Sequence, residues 1–363
     1  MTYDVVIIGA GPAGATLGQL LAGKYRVLLV DRRRLDAPPG KCCGGLLAPD
    51  AQKALAGLGL DIPRDVLVAR QLFAVRALDA PTGRERLYGR HYLNLDRRRF
   101  ERYLLSRVTP EVDVRTGWTF RAATRQGEGF RITLSRAGRS VTVQARVLVG
   151  ADGANSAVRR QLPGRQPWPK TYLAIQEWFE APGPMPYFTA VFDPRITDYY
   201  AWVIPKDDHL LVGAALWPVR RAPGRFQRLR ATLEGFGLRL GPPLAREAGL
   251  LLRPTSVEQI RPVADGVALI GEAAGWISPS SGEGISYALR SAVALADALG
   301  DGLDGFAERY RRASKPLRNS IRRKLLKCPL IYRPGLRAAV MRTGVGALRP
   351  GPARTARLQP AGP

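Results

Sequence analysis

The sequence predicts a mixed α/β fold: a doubly wound, dinucleotide-binding parallel sheet, discontinuous in the chain, with a second β-sheet inserted into it and helices after it. Three observations carry this. Three apolar, strand-like runs, Val5–Ile8, Val147–Val149 and Ala268–Ile270, each lead directly into a glycine. Between the second and third lies a stretch rich in aromatic and β-branched residues, the composition of strands. Behind the third comes a basic segment whose apolar residues recur at helical spacing.

The first run reads as a buried parallel strand, because four consecutive apolar residues leave no polar face. In Gly9-Ala10-Gly11-Pro12-Ala13-Gly14, Gly9 permits a tight turn, Gly11 lets the backbone approach a pyrophosphate, and Gly14 lets the next helix pack closely. The start of that helix offers unpaired N–H groups and the positive end of its dipole. Val27–Val30 forms a second strand ending at Asp31, 22 positions after Gly9, where a carboxylate accepts ribose hydroxyls. Strand, glycines and acid together predict one bound dinucleotide, gripped again at Asp152-Gly153 and at Gly271-Glu272.

The nucleotide-binding domain is read as residues 1–70, 95–165 and 256–300, with helices near Pro49–Leu55 and after Asp96. Alternation predicts strands at Val112–Val114, Phe130–Leu134 and Val141–Val143. A Pro/Gly-rich stretch, Pro163–Pro169, marks the passage into the inserted sheet, read as 71–94 and 166–255. There, strands are expected at Thr171–Glu180, Tyr187–Phe192, Tyr199–Ile204 and Leu210–Leu216, with a hairpin turn at Pro205–His209. Residues 301–345 are expected to form a basic helical region, and 346–363 a disordered tail.

No run of about 18 apolar residues occurs, so no membrane-crossing helix is expected, and the N-terminus lacks the pattern of a secretory signal. Three cysteines, two adjacent, make neither a disulfide framework nor a metal site. A reducing, cytoplasmic setting follows. The formal charge is +26, and residues 309–363 hold 15 Lys/Arg and no acid. Tyr310, Leu317, Ile321 and Leu325 form an apolar stripe among these cations, interrupted at Pro316. Two readings stay open: peripheral attachment to an anionic inner membrane face, or a solvated basic face. No nucleic-acid-binding motif accompanies the charge, and no specific nucleic acid is expected.

From about Tyr3 to Gly344 the chain resembles the p-hydroxybenzoate-hydroxylase-like flavoproteins, which have the glutathione-reductase-type FAD fold. Within them it resembles the geranylgeranyl reductase family, in its CbrA-like branch. The carriers are Lys41-Cys42-Cys43-Gly44-Gly45-Leu46-Leu47, Asn94-Leu95-Asp96-Arg97, Gly150-Ala151-Asp152-Gly153, Tyr200-Ala201-Trp202-Val203-Ile204-Pro205 and Gly271-Glu272-Ala273-Ala274-Gly275. The resemblance implies FAD as cofactor. It implies that Gly9, Gly11, Pro12, Ala13, Gly14, Asp31 and Arg32 hold the ADP half, with Arg97 and Asp152-Gly153 nearby. Gly271 and Glu272 would meet the ribityl or pyrophosphate region; the usual acid there is Asp, one methylene shorter. Cys43-Gly44-Gly45, Pro279, Gly282, Glu283, Gly284 and Ile285 would pass beside the isoalloxazine, where N–H groups near Gly282 and Gly284 favour negative charge at N1.

The activity so implied is hydrogenation of isolated C=C bonds in an isoprenoid lipid, with hydride from flavin N5. Tyr200 and Trp202, two apart on a strand, share a face and would line an apolar tunnel; Cys43 would donate a proton or gate flavin movement. Tyr187, His91 and His209 are further acids in the sequence. With no second glycine-rich motif, electrons come from NAD(P)H in transient visits or from an acidic carrier such as ferredoxin. Two other functions stay open: an FAD-dependent aromatic monooxygenase, and a flavin-containing lipid-binding protein with little turnover.

Overall fold

A computed structural model describes residues 1–34, 42–164 and 167–348. The chain begins with β1 (Thr2–Ile8), α1 (Pro12–Leu21) and β2 (Val27–Asp31), the unit read from the glycine spacing. Next come β3 (Leu46–Leu47), α2 (Pro49–Gly57), β4 (Leu72–Asp79), β5 (Arg84–Asn94) and α3 (Arg97–Ser106). Four strands follow, β6 (Asp113–Thr116), β7 (Thr119–Gln126), β8 (Gly129–Arg136) and β9 (Arg139–Gly150), and then the short α4 (Ala157–Arg160). The insert supplies β10 (Lys170–Glu180), β11 (Phe188–Phe192), β12 (Ala201–Lys206), β13 (His209–Leu216), α5 (Ala222–Gly235) and β14 (Ala245–Arg253). The chain returns through β15 (Val263–Ala264) and β16 (Val267–Leu269) and ends in α6 (Ile285–Gly300), α7 (Phe306–Ala313), α8 (Lys315–Tyr332) and α9 (Pro334–Thr343).

One sheet runs β15-β16-β9-β1-β2-β6, with β8 and β7 continuing beside β9. β1 pairs in parallel with β2 (Val5 opposite Val27) and with β9 (Ile8 opposite Gly150), and β16 lies parallel to β9 (Leu269 opposite Gly150). The three glycine-ended strands are therefore neighbours, and their C-terminal ends open at one edge, where α/β sheets bind ligands. Val5, Val6, Ile7, Leu28 and Leu29 are fully buried; Val5, Ile7 and Leu29 pack with α1 and α6, and Val6 and Leu28 with Phe120, Phe130 and Ile132 of β7 and β8.

The second sheet runs β14-β10-β13-β12-β11-β4-β5-β3. β3 pairs with β5 (Leu46 opposite Asn94), so the segment after Cys43-Gly44-Gly45 belongs to the second sheet and ties the two sheets together. The turn expected at Pro205–His209 is narrower, because Pro205 and Lys206 remain in β12. Helix α5 lies in a stretch read as sheet; Phe226, Leu229 and Leu233 keep helical spacing there and are buried against the second sheet's core.

Two expectations for the C-terminal region change. Pro316 begins α8 instead of interrupting a helix, since an N-terminal turn has no N–H partner to lose. Tyr310, Leu317 and Ile321 are buried in the protein's own core, and Leu325 packs on it. Tyr310 also donates its hydroxyl to the Leu269 carbonyl at 3.0 Å. That stripe docks the basic helices on the nucleotide-binding sheet and does not face outward. Of the expected tail, residues 346–348 are described and Leu348 N–H donates to the Leu87 carbonyl of β5; residues 349–363 lie outside the described residues. Among the described residues no helix is long and apolar enough to cross a membrane.

Candidate active site

One cavity of about 1140 Å³ is lined from both sheets and from α8 and α9. Its first end is built by the three strand ends. Gly9 has φ +109°, and a Cβ there would stand 2.4 Å from the Ala151 carbonyl oxygen. A Cβ on Gly14 would stand 1.8 Å from the Gly9 oxygen, so these two glycines lock turn, helix and neighbouring strand together. Gly14 accordingly lies behind the wall and not on it. Gly11 and Gly153 do line the cavity, and a Cβ on either would meet nothing within 4 Å of protein. Pro12, Ala13 and Arg32 complete this part of the wall.

Gly11 caps α1 without a side-chain acceptor, so the helix's first N–H groups are left for a ligand. Asp31 accepts the Ala10 N–H at 2.8 Å and pairs with Arg33 at 3.0 Å, which holds its carboxylate at the cavity. The Asp152 carboxylate is turned away: it accepts the Ser156 hydroxyl and the Ala157 N–H and so caps α4. Burial holds that carboxyl above its usual range, against these bonds. The Asp152-Gly153 step thus offers backbone to the cavity, not charge. An uncapped helix start, two open glycine positions and a ribose-height carboxylate fit the ADP half of FAD.

The middle of the cavity is charged but paired. Arg97, at the start of α3, binds Glu101 at 2.7 Å, and its Nη1 lies 3.8 Å from Cys43 Sγ. Burial alone would raise the Glu101 carboxyl; the Arg97 and Arg33 guanidiniums hold it down to about 2. Gly45 N–H approaches Cys43 Sγ at 3.5 Å. Behind this loop, buried Lys206 donates to the Asn94 side chain and to the Leu95 and Gly45 carbonyls at 2.5, 2.8 and 3.2 Å. Burial brings its ammonium down to about 7. Cys43, Gly44 and Gly45 all reach the cavity wall, held from behind by Lys206.

Facing this loop is the segment from Gly271 to Ile285. Gly271 and Glu272 line the cavity, and the longer Glu272 side chain accepts the Leu252 N–H at 2.9 Å, bridging to β14. Gly282, Glu283, Gly284 and Ile285 line it too, and Gly284 caps α6 with no side-chain acceptor. Pro279 lies off the wall; its carbonyl accepts Arg253 Nε at 3.1 Å. Three tyrosine hydroxyls hold the same loop by its carbonyls: Tyr199 on Ser278, Tyr332 on Ser280 and Tyr200 on Ser281, at 3.2, 2.6 and 2.6 Å. Burial first, then the neighbouring Glu283 and Cys43, raises the Tyr200 hydroxyl, so it remains a neutral donor.

The far end is apolar. Trp202, Phe188, Phe192, Ile204 and Ile331 contribute to its wall, with the rings of Tyr200 and Trp202 5.8 Å apart. At its edge Glu283 accepts the Tyr92 hydroxyl at 2.8 Å and both Arg90 contacts at 2.9 Å. Tyr187, His91 and His209 do not line this cavity. Sequence reading named Glu283 but missed Lys206, Arg253, Tyr332 and the Glu283 partners Arg90 and Tyr92, because each meets partners tens to hundreds of positions away. The only local signal was the Glu283 position itself, between two glycines.

A family model described as an FAD binding domain matches residues 2–181. The protein CbrA of Escherichia coli O6:H1 is 39% identical over 346 residues, 94% of each chain. A geranylgeranyl bacteriochlorophyll reductase-like protein from Thermoplasma acidophilum has a similar structure: TM-score 0.76, 19% identity, covering 90% of this chain and 86% of that one. So has p-nitrophenol 4-monooxygenase PnpA from Pseudomonas putida, with TM-score 0.67, 17% identity and coverage of 96% and 100%. At these identities the two structures share the fold, which serves more than one reaction.

Proposed function

We infer the reaction from one premise: this chain belongs to the CbrA family and is an FAD-dependent oxidoreductase. On our reading it reduces isolated C=C bonds in the isoprenoid chain of a hydrophobic substrate. The observation that carries this is the continuity of one cavity, nucleotide-fitting at the three strand ends and apolar between Trp202, Phe188, Phe192 and Ile331. Bound FAD, once reduced, supplies a hydride from its ring nitrogen N5.

The chain's own residues provide the rest. Gly11, Gly153 and the start of α1 would hold the phosphates, Asp31 would take ribose hydroxyls, and the N–H groups at the start of α6 would favour negative charge on the reduced ring. Trp202 and its aromatic neighbours orient the chain and exclude water, which an unactivated alkene requires. Cys43 Sγ, held between Arg97 and the Gly45 N–H, holds the proton for the second alkene carbon. Electrons arrive from NAD(P)H or from an acidic carrier such as ferredoxin, which the +26 charge would steer.

Lipid mass spectrometry of cells with and without the gene tests the reading: species separated by two hydrogens are expected to differ. Anaerobic mixing of the reduced protein with prenyl lipid should reoxidise the flavin. Oxygen-dependent gain of one oxygen atom would instead mark a monooxygenase, and absence of any substrate-dependent reoxidation a lipid-binding protein.

A further inference from the structure

The apolar stripe that the sequence offered to a membrane is buried, yet a different set of apolar side chains emerges from the same helices. Leu326 is 74% exposed and Leu330, one helical turn later, 48%; Leu336, in the first turn of α9, is 41% exposed. Residues four apart share a helix face, so Leu326 and Leu330 project together. Exposed Arg322, Arg323 and Lys327 surround them on α8, exposed Arg333 stands at the junction of α8 and α9, and exposed Arg342 follows on α9. No Asp or Glu occurs after Glu308, so nothing on these helices offsets the cations. From other elements, Asp79 of β4 pairs with buried Arg337 at 2.7 Å, Asp50 of α2 faces Lys324 at 3.8 Å, and Glu258 lies within electrostatic reach of Arg318 and Arg322; among the described residues no ion pair holds Arg323, Lys327, Arg333 or Arg342.

Single exposed leucines are ordinary on protein surfaces. Three within eleven residues, ringed by cations on two consecutive helices, form the pattern of a helix lying at a lipid interface. Position adds a second argument. Leu330 and Lys327 also line the large cavity, so this face borders its opening.

We propose that the outward face of α8 and the start of α9 docks on an anionic phospholipid bilayer, with Leu326, Leu330 and Leu336 entering the headgroup boundary and Arg322, Arg323 and Lys327 on the lipid phosphates. A substrate dissolved in the bilayer then passes from lipid to cavity without crossing water. That last step rests on the isoprenoid reading above; the docking itself does not.

Flotation of the FAD-loaded protein with vesicles tests docking apart from any turnover. With vesicles containing phosphatidylglycerol, half-maximal binding is expected at roughly tenfold less lipid, or better, than with pure phosphatidylcholine. The double variant Leu326→Ser/Leu330→Ser should need about tenfold more anionic lipid, with its flavin absorbance unchanged as proof of folding. Arg322→Glu/Arg323→Glu should lose the preference for anionic vesicles. If the native protein floats with neither vesicle, the proposal is overturned. It is equally overturned if the leucine variant binds as the native protein does, because the leucines would then not enter the bilayer. Vesicle binding that persists in a protein inert toward prenyl lipid would leave docking intact and remove the isoprenoid reading.

Discussion

Trp202 on β12 stands opposite Gly213 on β13, so close that a Cβ on Gly213 would lie 2.4 Å from Cε2 of the indole. The glycine makes the space in which the indole lies, and the indole forms part of the cavity's apolar wall. Gly213→Ala is expected to push the ring off this seat and to cost about 1–3 kcal/mol of stability. Urea denaturation gives the stability change, and tryptophan fluorescence reports the displaced ring.

Two glycines of one motif should behave oppositely. At Gly11 an added methyl meets open cavity, so Gly11→Ala is expected to leave the apoprotein's melting temperature unchanged. FAD affinity should fall roughly 5- to 150-fold, the equivalent of about 1–3 kcal/mol of overpacking against the ligand. Gly9→Ala collides with the Ala151 carbonyl at positive φ and should destabilise the apoprotein itself. Calorimetry of apoprotein and titration with FAD separate the two.

Cys43→Ala should retain FAD, because the cavity's nucleotide end does not depend on the thiol. If Sγ holds the transferred proton, flavin reoxidation by substrate is expected to slow by about 10²–10⁴-fold. Stopped-flow absorbance under anaerobic conditions measures it, and an unchanged rate would remove Cys43 from the chemistry.

Glu101 provides a pH signature. Its carboxyl lies at about 2 in the folded protein against an ordinary value of 4.5. Because the folded value is depressed, the stabilisation is complete above pH 4.5 and disappears as pH falls from there toward 2. The shift corresponds to about 3 kcal/mol. Glu101→Gln should therefore be less stable than the native protein at neutral pH by about that amount, with the difference closing in acid. Denaturant titrations across this window check both sign and size.

Tyr332→Phe keeps the ring whose centroid lies 4.2 Å from the Arg253 guanidinium and removes only the bond to the Ser280 carbonyl. A loss of about 1 kcal/mol is expected, with faster amide exchange confined to the loop around residues 278–282. Uniform exchange across the chain would show that this hydroxyl does not hold the loop.

Much of the nucleotide end was legible because its geometry is local. A strand, a glycine that must take positive φ and a helix start lie within ten residues at Val5–Gly14, and their physics does not need the rest of the chain. Cys43, Tyr200 and Trp202 were found through family resemblance, and the structure brings all three to the same cavity. Lys206 was not legible, since an ordinary strand-end lysine becomes a buried anchor only when Asn94, Leu95 and Gly45 arrive from elsewhere. Helix α5 was obscured by an aromatic and β-branched neighbourhood, although Phe226, Leu229 and Leu233 kept its period.

The sequence by itself determined that three glycine-ended strands meet a dinucleotide, because strand, glycine turn, helix start and acid lie at the spacing that a pyrophosphate and ribose require. Tertiary structure alone decided what the basic helices do with their apolar side chains. An amphipathic pattern states how much apolar surface must leave water, not what covers it. Here the nucleotide-binding sheet covers Tyr310, Leu317 and Ile321, whereas Leu326 is left mostly in solvent and Leu330 half covered at the cavity's edge.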